Sequence, residues 1–271
     1  MGRGTWSWVV PDGLWEIAKP LIPPSKVRPQ GGRTQDTPDE TLFAAIIYVL
    51  VSGCTWRRLP PCFGISKPTA HRGFLIWSRA GVGGRLHEAV LHRLDDAGLI
   101  DVTRVVLDSA HVRAGKGGGH TGPSPVDRGK PGSKRYILSD ANGLPLLVGV
   151  SAANVHDGEG LKPMAEGHQT RHDPRRGRHF KPQPLHADKA YDVPHLRKRL
   201  PGKRIGVRIA RKGIESSERP GRRRVIERTI SWLSGYRRLS PRYERDPRDH
   251  LAFLGLAAAL RCYKRLIRLT T

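Results

Sequence analysis

Three acidic side chains lie where a folded chain can bring them together for metal chemistry. Asp108 ends the apolar run 105–107, Asp188 follows a short segment ending in Ala187, and Glu227 lies in a stretch with helical character. Carboxylate oxygens are the hard ligands that Mg²⁺ and Mn²⁺ prefer. Two such ions about 3.5–4 Å apart activate the attacking and the leaving oxygen in phosphoryl transfer. The three acids therefore predict a site that cuts or joins nucleic acid.

Each of these acids also has an ordinary structural explanation. An aspartate after a strand is commonly a turn former, and a glutamate flanked by arginines is commonly an exposed ion pair. Eighty residues separate Asp108 from Asp188, and 39 separate Asp188 from Glu227. Such gaps suit strand ends that become neighbours only in the fold. The residues alone leave metal binding and structural roles open.

The charge of the chain indicates a polyanionic partner. Its 271 residues carry 48 Lys and Arg against 24 Asp and Glu, a formal net charge of +24. Such a surface attracts phosphates and releases their counterions, whereas solubility needs less charge. A membrane surface is the alternative partner, but the cations do not follow one amphipathic helix face. We therefore expect nucleic acid and no membrane.

Cysteine usage and the chain start indicate a cytoplasmic protein. The three cysteines are widely spaced and odd in number, which argues against a disulfide framework. The first residues contain no apolar signal core. The uncharged apolar run 251–260 is too short to span a bilayer.

Helical patterns dominate residues 1–100, which we expect to form an all-α N-terminal domain. Thr37 is predicted to cap a first strong helix, and Gly53 to end it. Its apolar side chains recur at helical spacing and form one predicted stripe: Phe43, Ile46, Ile47, Leu50 and Val51. Ser66 is predicted to cap a second helix, with Ala70, Phe74 and Trp77 facing inward.

Helix, short helix, turn and helix follow each other in the order of a helix-turn-helix DNA reader. Four polar side chains near the start of the second helix then face outward as candidate DNA contacts: Lys67, Thr69, His71 and Arg72. A plain helical hairpin with a solvated basic face is the alternative.

Residues 101–271 are predicted to form a mixed α/β domain. The run 105–107 indicates a buried strand, 114–135 a basic loop, and 136–150 a β-hairpin that turns at 140–143. A polar loop at 171–183, a strand through Leu185, a helix at 193–200 and an alternating strand at 205–209 follow. Helices are expected at 225–236 and 247–268. This order favours a mixed sheet with helices outside.

Several residues near the candidate acids have predicted supporting roles. Arg223 and Arg224 precede Glu227 by four and three residues, on the same side of a helix. They are predicted to hold the phosphates of the scissile strand and to stabilise transition-state charge. His186 shares a strand face with Asp188 and is a candidate for orienting substrate. Asp157, which follows a predicted strand, is a candidate supporting residue.

A series of segments together resembles one family of bacterial DDE-type transposases, that of insertion sequence five. These segments are VLDSAHVRA (106–114), GPSPVDR (122–128), GSKRY (132–136), SAANVHD (151–157), ADKAYD (187–192) and VIERT (225–229). The resemblance implies an RNase H-like catalytic fold and two Mg²⁺ or Mn²⁺ ions. It also implies strand cleavage and transfer on double-stranded DNA, at the terminal inverted repeats of the element and at target DNA, by a dimer or a larger assembly near the nucleoid.

The resemblance also assigns residues. Asp108, Asp188 and Glu227 match the two aspartates and the glutamate of the family, and Arg223 matches an arginine four residues before the glutamate. Three further cations in the matching segments are candidate DNA contacts: Lys134, Lys189 and Arg228.

Three positions depart from the family pattern. Pro220 and Ser234 stand where a tyrosine and a lysine are expected, so those two roles are not assigned here. Gly83 stands where the family usually has tryptophan, which predicts weaker packing of the N-terminal domain. Two alternatives stay open: a transposase-derived protein that binds DNA without cutting it, and an RNase H-like nuclease that does not join strands.

Overall fold

A computed structural model describes residues 5–24, 37–171, 184–202, 205–211 and 220–270 of the chain. Its helices are α1 (Leu14–Ala18), α2 (Asp39–Ser52), α3 (Lys67–Arg79), α4 (Val82–Asp96), α5 (Asp157–Arg171), α6 (Pro194–Gly202), α7 (Pro220–Ser234) and α8 (Pro247–Thr270). Its strands are β1 (Val105–Arg113), β2 (Gly122–Pro123), β3 (Pro131–Ser139), β4 (Pro145–Ala152), β5 (Pro184–Ala187) and β6 (Gly206–Ile209). Within these residues no helix is long and apolar enough to cross a membrane.

The six strands form one mixed sheet. β1 pairs with β3 and β3 with β4 in antiparallel fashion, whereas β1 pairs with β5 and β5 with β6 in parallel. The five main strands therefore follow the order β4-β3-β1-β5-β6, and the short β2 extends β3 at one end. The predicted mixed α/β class is confirmed, and this strand order is that of the RNase H-like fold implied by the resemblance. The predicted loop 171–183 lies outside the described residues except for Arg171.

Strand β1 is longer than its apolar run predicts. It continues past Asp108 to Arg113, so Asp108 lies inside the strand and does not end it. The predicted loop at 114–135 is likewise too long, because β2 lies within it and β3 already begins at Pro131. The second half of β1 is not recognisable in the sequence, because a strand is predicted from alternating apolar and polar residues and the residues after Leu107 are mostly polar.

Helix α2 is buried more completely than one apolar stripe predicts. Its core-facing residues include Leu42, Ala45 and Val49, whereas Val51, assigned to the stripe, is 44% exposed. The helix begins at Asp39, with Pro38 at the capping position instead of Thr37. Three other predictions for these helices are confirmed. The first helix ends at Gly53, Ser66 caps the second, and the side chains of Ala70, Phe74 and Trp77 are buried.

Helix α5 is not anticipated by the sequence. Gly158, Gly160 and Pro163 lie inside it, and glycine and proline are the weakest helix formers. The structure needs a small residue at Gly160, because a Cβ there would overlap the Tyr136 ring. Close packing of α5 against the sheet therefore outweighs local helix propensity.

Helix α8 joins the N-terminal helices to the sheet. It packs against α2, α3 and α4 of the N-terminal part and against β4 and α7 of the C-terminal part. A single hydrophobic core therefore includes Leu14 and Phe43 together with Leu107 and Leu185. The division of the chain into domains at residue 100 stays a prediction.

The prediction of weak packing at Gly83 is wrong. A Cβ at Gly83 would meet the Ala252 carbonyl oxygen of α8 at 2.5 Å, and a Cβ at Gly255 would meet backbone atoms of Gly83 at 3.1 Å. The two glycines therefore allow the backbones of α4 and α8 to approach closely. A tryptophan at this position would require a wider helix crossing.

We expect Gly83→Ala to lower the free energy of unfolding by about 1–3 kcal/mol, because overpacking outweighs the better helix propensity of alanine. Urea unfolding of the variant and the parent protein measures the difference. Gly115→Ala is the matched control, since its added Cβ meets nothing within 4 Å. Equal stability of Gly83→Ala and the parent would contradict the close crossing.

Candidate active site

Asp108 and Asp188 lie side by side on neighbouring parallel strands. The register pairs Leu107 with Ala187, and each aspartate follows one of these residues. Asp188 continues the extended backbone of β5, with φ −69° and ψ 165°. Since side chains alternate along strands about 4.8 Å apart, the two carboxylates project from the same face of the sheet.

Glu227 belongs to the helix that covers this same face. Helix α7 packs against β1 and β3, and Arg135, which shares the face of Asp108, donates to the Ser234 hydroxyl of α7 at 3.2 Å. Thr229 fixes the helix to the β3–β4 turn by donating to the Gly143 carbonyl at 2.7 Å. The Glu227 side chain is exposed. Glu227 therefore lies on the same side of the sheet as Asp108 and Asp188.

Asp108 and Asp188 are suitable ligands for a hard divalent metal ion. Both supply carboxylate oxygens, the ligand type that Mg²⁺ and Mn²⁺ prefer. Glu227 fits by its side of the sheet but not by distance. Within the described ranges, no three His, Cys, Asp or Glu side chains come close enough together to hold one metal ion.

Each aspartate is oriented by the backbone that follows it. The Ser109 amide donates to Asp108 Oδ1 at 2.7 Å, and the Lys189 amide donates to Asp188 Oδ1 at 2.6 Å. In both aspartates, Oδ1 is therefore held by the backbone amide of the next residue. Asp188 thereby also caps the short 3₁₀ turn Lys189–Tyr191.

A polar network on the opposite face of the sheet holds Ser109. Its hydroxyl donates to Asp157 Oδ1 at 2.7 Å, and Lys134 Nζ pairs with that oxygen at 3.0 Å. Lys134 also donates to the Val155 carbonyl at 2.7 Å. Asp157, expected to play a supporting role, thus contacts the residue whose amide orients Asp108. No pattern in the sequence predicts the role of Ser109 in this link.

The predicted DNA contact through Lys134 is wrong for this structure. Its side chain is only 4% exposed, and the ammonium group is directed to Asp157 and to a carbonyl group. A buried ammonium needs such partners, because an unpaired charge away from water is costly. Lys134 instead supports β1 and the start of α5.

Two further side chains extend the network. The Tyr191 ring is buried, its hydroxyl lies near Ser109, and burial raises its pKa. Burial also lowers the pKa of His111, helped by Lys134 and opposed by Asp157. Tyr191 follows Asp188 by three residues, so both aspartates lie next to side chains of one network. His186, the candidate for orienting substrate, is buried.

Cations surround Glu227 on α7. Arg224 and Arg228 are both exposed, and the Arg228 guanidinium stacks on the Trp232 ring at 4.8 Å while donating to the Asn142 carbonyl at 3.2 Å. Arg261 of α8 stacks on the same ring at 3.4 Å. The Arg223 side chain lies outside the described residues. Arg228 is therefore held in one orientation beside the candidate acid.

The four candidate DNA contacts of α3 are exposed near its start, as the sequence predicts for Lys67, Thr69, His71 and Arg72. The Thr69 hydroxyl is already hydrogen-bonded to the Ser66 hydroxyl at 2.7 Å. Burial lowers the pKa of His71, whose ring lies 5.4 Å from the Trp56 ring. Lys189, the remaining candidate, is exposed beside Asp188.

Comparison with known proteins identifies the class. The family model "Transposase DDE domain" matches residues 99–262, and a model for transposases of the IS4/5 family matches residues 10–87. The chain belongs to the DDE transposases, and it is an insertion-sequence DNA transposase, a polynucleotidyl transferase. The family implies a DNA partner and the use of divalent metal ions.

Two relatives come from Burkholderia cepacia. A protein named as a transposase for insertion sequence element IS402 is 39% identical over 166 residues, which cover 61% of this chain and 77% of the relative. A 16.2 kDa protein of insertion element IS402 is 37% identical over 120 residues, which cover 43% of this chain and 81% of the relative.

Among solved structures, the Mos1 strand transfer complex is similar to this chain. The similarity covers 89% of this chain and 79% of the chain in that structure, with 10% identity and a TM-score of 0.32. That structural similarity is too low to support an inference.

We expect Asp157→Asn and Lys134→Met each to lower the free energy of unfolding by about 1–3 kcal/mol, because each leaves the charge of the other residue without its oppositely charged partner. The double variant should lose less than the two losses combined, since neither charge then remains unpaired. Urea unfolding of the four proteins measures the coupling. If the stability losses of the two single variants add up to that of the double variant, Asp157 and Lys134 do not interact directly.

Proposed function

We propose that Asp108, Asp188 and Glu227 are the catalytic residues of this transposase and hold two divalent ions, Mg²⁺ or Mn²⁺. The observation that carries the proposal is the aligned pair Asp108–Asp188 on parallel strands, facing the helix that carries Glu227. Two ions bound there supply charge neutralisation and activation of the attacking and leaving oxygens. Glu227, exposed on α7 on the same side of the sheet, would be the third acid of the set.

The protein groups prepare this site for in-line displacement. The amides of Ser109 and Lys189 keep one carboxylate oxygen of each aspartate fixed, so the remaining oxygens keep their direction. Fixed donors and charges stabilise a transition state without reorganisation. Water attacks a phosphodiester at the element end and displaces the 3′-oxygen of the element, and this 3′-hydroxyl then attacks a phosphodiester of target DNA and displaces the target strand's own 3′-oxygen. Both displacements use the same acids.

Arg224 and Arg228 act on the phosphates of the scissile strand in this proposal, and Lys189, in the 3₁₀ turn after Asp188, approaches the same strand. Stacking on Trp232 and the bond to Asn142 reduce the rotamer freedom that Arg228 would lose on binding. A guanidinium also presents a planar pair of donors that suits phosphate. Arg223 completes the group.

Recognition of the terminal inverted repeats is assigned to α3, through Lys67, Thr69, His71 and Arg72. The start of a recognition helix contacts base edges in the major groove. Two element ends must be joined to one target, so we propose a dimer or larger assembly on DNA. The place of action is the bacterial nucleoid in the cytoplasm.

Asp108→Asn should reduce Mg²⁺-dependent cleavage and joining of labelled element-end DNA by about 10²–10³-fold, because the amide removes an anionic ligand. Asparagine keeps the shape and still accepts from Ser109, so DNA affinity should be retained. Glu159→Gln, which changes an exposed carboxylate of α5, is the control. Addition of Mn²⁺ should raise the melting temperature of the parent protein more than that of the variant. Full activity of Asp108→Asn would overturn the assignment, and shifted but uncut DNA with the parent protein would favour the binding-only alternative.

Arg228→Ala should weaken binding of element-end DNA uniformly across sequences and reduce the slope of log K against log salt by about 1, as expected for one lost phosphate contact. Filter binding or fluorescence anisotropy at several salt concentrations measures both quantities. Lys162→Ala, at an exposed lysine on α5, is the matched loss of one charge. If the two variants have the same slope, Arg228 does not contact phosphate.

A further inference from the structure

The two faces of the sheet are covered by different helices. Helix α7 packs against β1 and β3 on the face that carries Asp108 and Arg135. Helix α5 lies on the opposite face, because Gly160 packs against the ring of Tyr136. Tyr136 pairs directly with Ser109, whose side chain points away from that of its neighbour Asp108. The face of the candidate acids is therefore the face of α7.

Strand β6 is buried on one face and exposed on the other. Helix α6 packs against both β6 and α5, so it lies on the face of α5. On this face Ile209 is buried and Val207 is half-buried. Arg208 alternates with these two residues and is exposed. Arg208 therefore points to the face of α7, at a strand that α7 does not cover.

The register of the parallel strands places Arg208 on the same face as both aspartates. Arg208 pairs with His186, and His186 pairs with Val106. Asp188 and Asp108 each follow one of the last two residues by two positions on extended backbone, so these side chains project from one face. Strand β6 lies one strand spacing from β5 and two from β1, about 5 and 10 Å. Arg208 therefore lies beside the acids, on the side away from α7.

The charge of Arg208 is not used inside the fold. Among the residues that the structure describes, its side chain has no hydrogen-bond or ion-pair partner. The neighbouring arginines of α6 are instead paired with acids: Arg197 with Asp192 and Arg199 with Glu166. An exposed charge on the last strand of a sheet also prevents pairing with other chains, but a charge on either face serves that purpose. The position on the acid face indicates a ligand as well.

A DNA strand bound at the acids supplies the matching anion. The chain is a DNA transposase, and each strand of its substrate carries one phosphate charge per nucleotide. A phosphate held at Asp108 and Asp188 therefore has further phosphates on both sides. Helix α7 presents Arg224 and Arg228 on one side, and Arg208 is exposed on the other. A guanidinium offers paired donors that suit a phosphate.

We propose that Arg208 binds the backbone phosphate next to the scissile one, on the side away from α7. The scissile strand then crosses β6, β5 and β1 in turn and is held on both sides of the acids. The inference rests on the proposed function, since that function places the scissile phosphate at Asp108 and Asp188.

Arg208→Gln should weaken binding of a labelled element-end duplex and lower the slope of log K against log salt by about 1, because one phosphate contact is lost. The side chain is exposed, so the melting temperature should not fall. Lys198→Gln removes one charge from an exposed position on α6, on the opposite face, and is the matched control. The control should keep the slope of the parent protein.

Neutral methylphosphonate groups, placed at one backbone position at a time, locate the contact. At the position next to the scissile phosphate on one side, the modification should weaken binding by the parent protein and cause no further loss with Arg208→Gln. This non-additivity is expected because the pair is already broken. The position that behaves in this way with Arg228→Ala should lie on the other side of the scissile phosphate.

The outcomes separate this inference from the proposed function. If the parent protein cleaves end DNA while Arg208→Gln keeps its affinity and salt slope, Arg208 does not contact DNA and the active-site assignment stands. If Arg208 and Arg228 map to the same side of the scissile phosphate, the proposed strand path is wrong. If Arg208→Gln changes only the stabilisation by Mn²⁺ or the aggregation state, Arg208 serves the carboxylates or the sheet edge, and the inference is overturned. If the parent protein neither binds nor cleaves end DNA, both proposals fail.

Discussion

The close crossing of α4 and α8 is the contact on which the rest of the structure depends. It is possible because Gly83 and Gly255 face each other without side chains. Since α8 also packs on β4 and α7, the same helix fixes the N-terminal helices relative to the sheet. The Phe253 ring of α8 stacks on Phe74 of α3 at 4.3 Å, which extends this control to the candidate recognition helix. Helix α3 therefore keeps a fixed position relative to the sheet.

Local signals predicted much of the fold, and long-range contacts account for the errors. The Ser66 cap, the turn at Gly143 and the apolar run of β1 depend on neighbouring residues, so the sequence displays them directly. The value of a glycine at Gly83 depends on a helix about 170 residues away, which no local pattern reveals. Helix α5 was missed for the same reason, because Gly160 serves the packing of Tyr136 and not the helix itself.

The candidate site shows the same division. Asp108 and Asp188 were predicted because each follows an apolar segment, and the register of two parallel strands then places them together. The DNA-binding role predicted for Lys134 is wrong, because in a basic chain no sequence pattern distinguishes a lysine in a buried ion pair from a lysine on the surface. Its partner Asp157 is 23 residues away, and Ser109 joins the pair across two strands. The link from this network to Asp108 is a backbone amide, which every non-proline residue has.

The large positive charge of the chain is accordingly divided between two uses. Arg135, Arg238 and Arg242 are buried, and burial lowers the pKa of Arg135 to about 10, so it remains a cation at neutral pH. Such cations must find acceptors inside the protein. Arg238 is paired with Glu244 at 2.7 Å, whereas Arg242 donates largely to carbonyl groups, among them those of Gly119 and Arg245.

These internal arginines have a consequence for the external ones. By binding the carbonyl groups of 119–120 and the Ser133 hydroxyl, Arg242 holds both sides of the β2–β3 hairpin next to the start of α8. The start of β3 is therefore tied to the segment that leads into α8. Since α3 and α7 both pack against α8, their exposed cations keep a constant spacing in the folded chain. Net charge alone attracts a polyanion at any angle, whereas the close packing of the helices fixes the positions of the exposed cations.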